Sequence, residues 1–209
     1  YQSITFPFKR YQIQSVWRAE NTQKGRYREF LQCDIDTVGT NSSTSDAEMI
    51  LAVLDFYKAL GFKKIKVLLN DRSLFSKLPP AAVIALDKLK KIGAEKVKSE
   101  LKAKGLNESI LEKITKEKPT ERLQTIMDIV KKMDVDNLVF DPTLARGLEY
   151  YTGLIFEVEV ESYRGGSVGG GGRYDNLIAM FAGKQIPAVG FSFGFDRIIE
   201  AMEEQKLLP

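Results

Sequence analysis

The sequence predicts an α+β domain built on an antiparallel sheet. Two alternating runs joined by a charged loop lie within 16–39, a Lys-rich helical stretch covers about 81–133, and strand alternation returns at 154–161 and 188–195 before a final helix. Strands, then helices, then strands again fit an antiparallel sheet with helices gathered beside it, and no internal repeat interrupts that order.

The run VWRAENTQKGRYREFLQCDIDTVG (16–39) reads as a hairpin. Successive strand residues point to opposite faces, so Val16, Arg18 and Glu20 share one side and Trp17 and Ala19 the other. On the returning strand Phe30, Gln32, Asp34 and Asp36 line one face, while Leu31, Cys33 and Ile35 form an apolar back. The connecting loop, 21–28, carries Lys24, Arg26 and Arg28 beside Gly25 and is long enough to fold over an anion. Trp17 is expected in the core.

Ser45 or Asp46 can cap a helix that runs to about Leu60, with Met49, Ile50, Val53, Leu54 and Tyr57 on one stripe and Gly61 ending it. The run KIKVLLN (64–70) reads as a strand, and Leu78-Pro79-Pro80 breaks regular structure. From Ala81 to about Met133 the chain reads as three or four short helices, with Asn107 and Thr120 as N-caps followed by Glu108 and Glu121. In 154–161 Phe156, Val158 and Val160 alternate with Glu157, Glu159 and Glu161, so one face is expected buried and the other wet. A helix over 174–181, a strand over 188–195 and a helix over 197–204 complete the chain. In the last strand Val189, Phe191, Phe193 and Phe195 point one way. Gly190, Ser192 and Gly194 leave the other face bare, the mark of a close approach by something flat or by backbone.

Composition narrows the chemistry. With 209 residues and 44 % apolar content the chain can bury one sizeable core with a small appended domain. The 31 Lys and Arg against 28 Asp and Glu give no general polyanion-coating surface. One cysteine, Cys33, excludes an internal disulfide and points to a reducing, cytoplasmic setting; no apolar run reaches transmembrane length. A start at Tyr1 rather than Met leads us to expect a fragment lacking an N-terminal segment. There is no histidine at all, so imidazole bases and ligands are excluded within the chain, and chemistry rests on Arg, carboxylates, Tyr and backbone.

Two further segments carry chemistry. DPTLARGLEYYTG (141–153) sets Arg146 among small and apolar neighbours, where a guanidinium is costly unless it meets a carboxylate or a phosphate; a buried salt bridge to a core acid and an anion site both answer that need. GGGGRYD (169–175) has exposed N–H groups that suit a phosphate, but it lacks P-loop spacing and also reads as a flexible turn.

Taken together, these segments carry a family resemblance. The stretch 16–39 resembles the second signature motif of class II aminoacyl-tRNA synthetases, LARGLEYYTG and SVGGGGRYDNL resemble the two motifs peculiar to histidyl-tRNA synthetases, and AVGFSFGFDRI (188–198) resembles the third class II motif, with Ser192 in place of a glycine. The resemblance runs from about Pro7 to the C-terminus. It implies a class II synthetase-like antiparallel sheet flanked by helices, divided into catalytic core over 1–76, helical insertion over 77–136 and catalytic core over 137–209. The first class II motif, the residues that bind the substrate ammonium and the anticodon-binding domain are expected outside this chain. A folded fragment of that kind would bind ATP but aminoacylate poorly.

The family activates histidine with ATP to give histidyl-adenylate and pyrophosphate, then esterifies the 3′ end of tRNA(His). By resemblance Arg18 meets the α-phosphate, Glu20 the adenine amino side and Phe30 the adenine ring. Arg26 and Arg197 hold the β- and γ-phosphates, and Arg146 stands at the reacting carboxylate and α-phosphate. Asp36 and Tyr151 bind the imidazole nitrogens, Gln32 the polar end of the amino acid, and Tyr150 and Tyr174 complete the pocket. Aspartate at 36 resembles the eukaryotic-like branch, where many bacterial members have glutamate. Mg²⁺ is expected with the ATP phosphates, with no ligand assigned and Glu149 a candidate by proximity only. A homodimer is expected of the full-length protein. Two rivals stand beside this reading: a catalytically silent regulatory paralogue, which would lose the arginines present here at 18, 26, 146 and 197, and another class II synthetase. The lysines over 88–104 read as a solvated helix face.

Overall fold

A computed structural model describes residues 3–19, 21–22, 27–146 and 150–208. Glu20, Lys24, Arg26 and Glu149 lie outside the described residues. A seven-stranded sheet runs in the order β1-β2-β7-β6-β5-β3-β4, from β1 (Phe8–Trp17) and β2 (Glu29–Val38) through β7 (Ala188–Gly194), β6 (Gly169–Arg173) and β5 (Leu154–Val160) to β3 (Ile65–Asp71) and β4 (Leu138–Phe140). Every pairing is antiparallel except β3 with β4. That one parallel pair follows from the connection, because the intervening helices carry the chain back to the same end of the sheet.

The first strand begins at Phe8, well before the hairpin segment singled out in the sequence, since Arg10, Gln12 and Gln14 already alternate with Tyr11 and Ile13. The glycine cluster 169–172 is a buried central strand rather than a turn or phosphate cradle. The last strand stops at Gly194, so Phe195 opens α8 (Phe195–Glu204) at the surface instead of packing beneath the sheet. The helix expected over 174–181 shrinks to α7 (Ala179–Ala182). Trp17, expected in the core, is 71 % exposed, because β1 is an edge strand whose apolar face has no helix against it among the described residues.

One sheet face is packed by α1 (Ser43–Ala59), α6 (Glu121–Lys131) and α8. Val67, Leu69, Phe156, Val158, Phe191 and Phe193 from the strands meet Ile50, Leu54 and Tyr57 of α1 and Leu123, Ile126 and Val130 of α6. The opposite face is covered only in part, by α2 (Pro80–Asp87), α4 (Ala94–Ala103) and α5 (Ser109–Ile114), which form a second core on Leu68, Tyr151 and Ile155; α3 (Leu89–Ile92) links them. The segment 77–136 therefore divides its packing, with α2, α4 and α5 on one side of the sheet and α6 on the other. Covering both faces also explains why the acids of β5 are not on a wet face as expected: Glu157 and Glu159 are half-buried.

The cap of α1 is Ser42, whose side chain accepts from Thr44 N, and not Ser45 or Asp46. Asp46 is turned inward instead, fully buried, against Arg173, which is 2 % exposed. Arg173 Nε and Nη2 donate to Asp46 Oδ1 at 2.9 and 2.5 Å, Nη1 donates to Thr40 O and Asp175 Oδ1 at 2.9 Å each, and Arg122 Nη2 donates to Asp46 Oδ2 at 2.9 Å. Thr120 caps α6 as expected, accepting from Leu123 N. Among the described residues no helix is long and apolar enough to cross a membrane.

Removing one partner of a buried charge network strands the others without water. Asp46→Ala is expected to lower the unfolding free energy by about 3–5 kcal/mol, measured by chemical denaturation.

Candidate functional site

The sheet face left open between β2 and the helical cover holds a cleft of about 680 Å³. Antiparallel register aligns its floor: Gln32 faces Gly194, Asp34 faces Ser192, Asp36 faces Gly190, Ser192 faces Gly170, and Gly170 faces Glu157. Period-two alternation thus puts Phe30, Gln32, Asp34 and Asp36 on the same face as the bare positions of β6 and β7.

The bareness accommodates the protein's own side chains. A Cβ at Gly170 would lie 1.6 Å from Arg146 Nη1, and one at Gly190 would lie 2.1 Å from Asp36 Oδ1. Arg146 and Asp36 lie on the sheet backbone, and only glycine leaves that room.

Arg146 reaches this position from an irregular segment tied down on its N-terminal side. Asn70 Nδ2, buried in β3, donates to Pro142 O and Leu144 O at 3.1 and 2.9 Å, and Leu144 and Ala145 are buried in the second core. Arg146 Nη1 then donates to Glu157 Oε1 at 3.1 Å, and its guanidinium carbon sits 5.7 Å from the Tyr151 ring centroid. Its Nε is buried with no acceptor among the described residues. Burial pushes the Glu157 carboxyl above its ordinary range, opposed by the Arg146 and Lys90 charges and reinforced by Asp87 and Glu159.

Arg18 lies with its guanidinium carbon 3.6 Å from the Phe30 ring centroid, on the ring expected to receive adenine. Gln32 Nε2 donates to both Asp34 oxygens at 3.0 and 2.8 Å, which leaves Oε1 as the remaining acceptor of that amide. Arg197, in the first turn of α8, donates from Nη1 to Ser167 O at 2.8 Å. Arg18, Phe30, Gln32, Arg146, Tyr150, Tyr151 and Arg197 all line the cleft.

Asp36 and Tyr174 do not line it. They lie farther along the sheet, where the Tyr174 hydroxyl donates to Asp36 Oδ1, and Tyr150 stands beside them with its ring centroid 6.1 Å from Tyr174 and 4.6 Å from Tyr151. Burial raises the Tyr150 and Tyr174 hydroxyls well above the usual phenol range, so both are donors at neutral pH.

Three contributors were not singled out as site residues in the sequence. Glu157 looked like one of three solvated acids, Asp34 had a place on the face but no task, and Asp87 reaches the cleft only because α2 folds over the sheet. Asp87, Glu157 and Asp196 are the carboxylates lining the cleft among the described residues, and Glu157 is already paired with Arg146. Among the described residues no group of three potential ligands could hold a metal.

The family model for histidyl-tRNA synthetase matches residues 7–120 and 98–198. The chain belongs to the histidyl-tRNA synthetase family. It is 41 % identical over 242 residues to the histidine–tRNA ligase of Cytophaga hutchinsonii, covering 99 % of this chain and 53 % of that protein. It is 42 % identical to that of Korarchaeum cryptofilum, covering 93 % and 52 %. The chain thus spans about half the length of the curated relatives it matches. Its fold superposes on histidyl-tRNA synthetase from Nostoc sp. PCC 7120 with a TM-score of 0.85 at 27 % identity, over 100 % of this chain and 57 % of that one. A Bacillus halodurans protein described as an ATP phosphoribosyltransferase regulatory subunit/histidyl-tRNA synthetase shares the fold with a TM-score of 0.78 at 20 % identity, over 96 % and 60 %. The expected class II architecture is the one observed.

Because the folded state raises the Glu157 pKa above its ordinary value of 4.5, the stabilisation tied to its protonated form is complete below that value and is lost as pH rises through the folded pKa. The unfolding free energy of Glu157→Gln relative to the parent is expected to improve as pH rises from about 4 to 7, whatever its absolute level. Denaturation series across that range measure the slope.

Proposed function

We propose that this chain is the catalytic core of a histidine–tRNA ligase, which activates histidine with ATP to histidyl-adenylate and pyrophosphate and then transfers it to the 3′ end of tRNA(His). The observation that carries this reading is the meeting of Arg18, Arg146 and Arg197, from three distant segments, in one cleft with the aromatic Phe30 and the polar Gln32.

Adenylation is an in-line attack by a carboxylate oxygen on the α-phosphorus. The new O–P bond forms as the bond to the bridging oxygen of pyrophosphate breaks, and the electron pair leaves with pyrophosphate. No proton need move, so catalysis reduces to bringing two anions together and holding them in line. Guanidinium groups do this in a planar, bidentate manner. Arg146 would bridge the histidine carboxylate and the α-phosphate, Arg18 would hold the α-phosphate, and Arg197 the β- and γ-phosphates, with Arg26 and Glu20 completing the nucleotide site. ATP enters as its Mg²⁺ complex, the ion belonging to the substrate.

Adenine would stack on Phe30, which requires Arg18 to leave the ring it now covers and move toward phosphate. The paired Asp34 directs the Gln32 amide so that its carbonyl oxygen is the acceptor offered to the polar end of the amino acid. Asp36, Tyr151, Tyr150 and Tyr174 would enclose the imidazole. A site that hydrogen-bonds both ring nitrogens rejects analogues lacking them by about 10⁴-fold or more. The partners in this reading are histidine, ATP and tRNA(His), within a cytoplasmic homodimer, for which the exposed Tyr11, Ile13 and Trp17 of β1 offer apolar contact surface.

Histidine-dependent ATP–pyrophosphate exchange by the full-length protein tests the reading. Exchange with another amino acid, or none, overturns it, and the second result favours a regulatory paralogue. Arg146→Ala is expected to lower exchange by about 10²-fold or more with an unchanged circular dichroism spectrum. Phe30→Ala is expected to raise the KM for ATP about tenfold, in line with aromatic–base stacking of about 1–3 kcal/mol.

A further inference from the structure

We propose that Arg10 is a specificity-positioning residue, which clamps the Asp36 carboxylate as a charged, oriented acceptor for the N–H of the substrate side chain. This rests on the reading of the cleft as a histidine-activating site and assigns a task to a residue outside it.

The clamp follows from register. Arg10 and Asp36 are direct partners across the antiparallel β1–β2 pair, so their side chains rise from the same face. Arg10 Nη1 donates to Asp36 Oδ2 at 3.0 Å, and the same guanidinium also donates to the side chain of Gln12, two residues along its strand. The other carboxylate oxygen, Oδ1, accepts from the Tyr174 hydroxyl and sits over Gly190. Both oxygens are therefore engaged from opposite sides, and the Asp36 side chain is only 12 % exposed. A carboxylate has about four acceptor positions, so two contacts fix its plane and still leave capacity for a ligand N–H.

Charge is the second part of the task. Burial drives Asp36 toward its neutral form, and Asp34 on the same strand pushes the same way. Arg10 on β1 and the Tyr174 hydroxyl after β6 oppose this; β7 contributes Gly190, which carries no side chain, and Tyr150 stands next to Tyr174. Arg10 is thus the cation facing Asp36 among these groups. A neutral carboxylic acid both donates and accepts and would tolerate a ligand presenting either kind of atom, whereas the charged form accepts only. Holding the charge makes the far end of the pocket demand a donor, as an imidazole N–H supplies.

The test uses the full-length protein as parent, Arg10→Met and Arg10→Lys, with histidine-dependent exchange followed from about pH 6 to 9 and the Asp36 carboxyl titrated by carbon NMR. R10M is expected to raise the KM for histidine about tenfold, the size of one charge-assisted hydrogen bond, with the KM for ATP within about twofold. It should also move the acidic limb of kcat/KM for histidine to higher pH and raise the Asp36 titration midpoint, while R10K recovers part of each change. Equal shifts in both KM values, an unmoved pH profile, or an Asp36 titration identical to the parent would overturn the role of Arg10. A parent that shows no histidine-dependent exchange overturns the functional reading and this proposal together. A parent that exchanges beside an indistinguishable R10M overturns this proposal alone.

Discussion

Side chains of this domain lie flat on the backbone of its central strands, and the rest of the site depends on that contact. In most sheets the Cβ layer keeps other groups several ångströms from the peptide plane. Here β6 and the open face of β7 carry glycines at the positions where Arg146 and Asp36 come down, at separations no Cβ would allow. Loss of side-chain packing on that face weakens the strands. The opposite face compensates with Phe156, Phe191 and Phe193, packed ring against ring in a continuous aromatic layer against Tyr57 of α1. One face of the same strands holds the fold and the other is kept bare for charged groups.

The same alternation joins stability to the site. Arg173 and Tyr174 are neighbours in sequence but point to opposite sides. Arg173 goes into the buried network with Asp46, and Tyr174 goes to the carboxylate of Asp36. Thr152 and Asp175 fasten the surrounding segment, because Thr152 N donates to Arg173 O and Asp175 N to Thr152 Oγ1. A charge network wholly outside the cleft therefore fixes the strand end from which Tyr174 reaches Asp36. Bonds of this kind contribute little net stability, but they are costly to break and so define one geometry.

Along β2 the tasks are laid out in order. Phe30 and the Arg18 stacked on it mark one end, Gln32 with Asp34 the middle, and Asp36 with Arg10 and Tyr174 the other. Each residue of this face is held by a partner from β1 or the residue that follows it, from β2, or from the segment after β6, so the strand offers a preorganised series of contacts about 7 Å apart for every two residues. Arg146 and Arg197 add cations from elements that pack over the face from elsewhere in the chain.

Much of this was legible in the sequence. The strict alternation of Phe30, Gln32, Asp34 and Asp36 against Leu31, Cys33 and Ile35 fixes which side chains share a face, because strand periodicity is local. The bare positions Gly190, Ser192 and Gly194 announced a close approach for the same reason, whereas 169–172 read as a turn or phosphate cradle and proved to be a buried strand. What came close, and the partners of each charge, depended on register between strands distant in sequence. Of the two answers to the buried charge of Arg146, the fold supplies the salt bridge, since Glu157 pairs with it. Trp17 reads as core by residue type, but the order of strands puts β1 at an edge. Glu157 reads as a solvated acid, but helices on both faces bury it. The sequence by itself determined most of the elements, the facing of their residues and the family they belong to; the tertiary structure alone decided that Arg10 stands opposite Asp36 and that Arg173 goes into the core, because ion pairs and burial are set by which strands lie side by side.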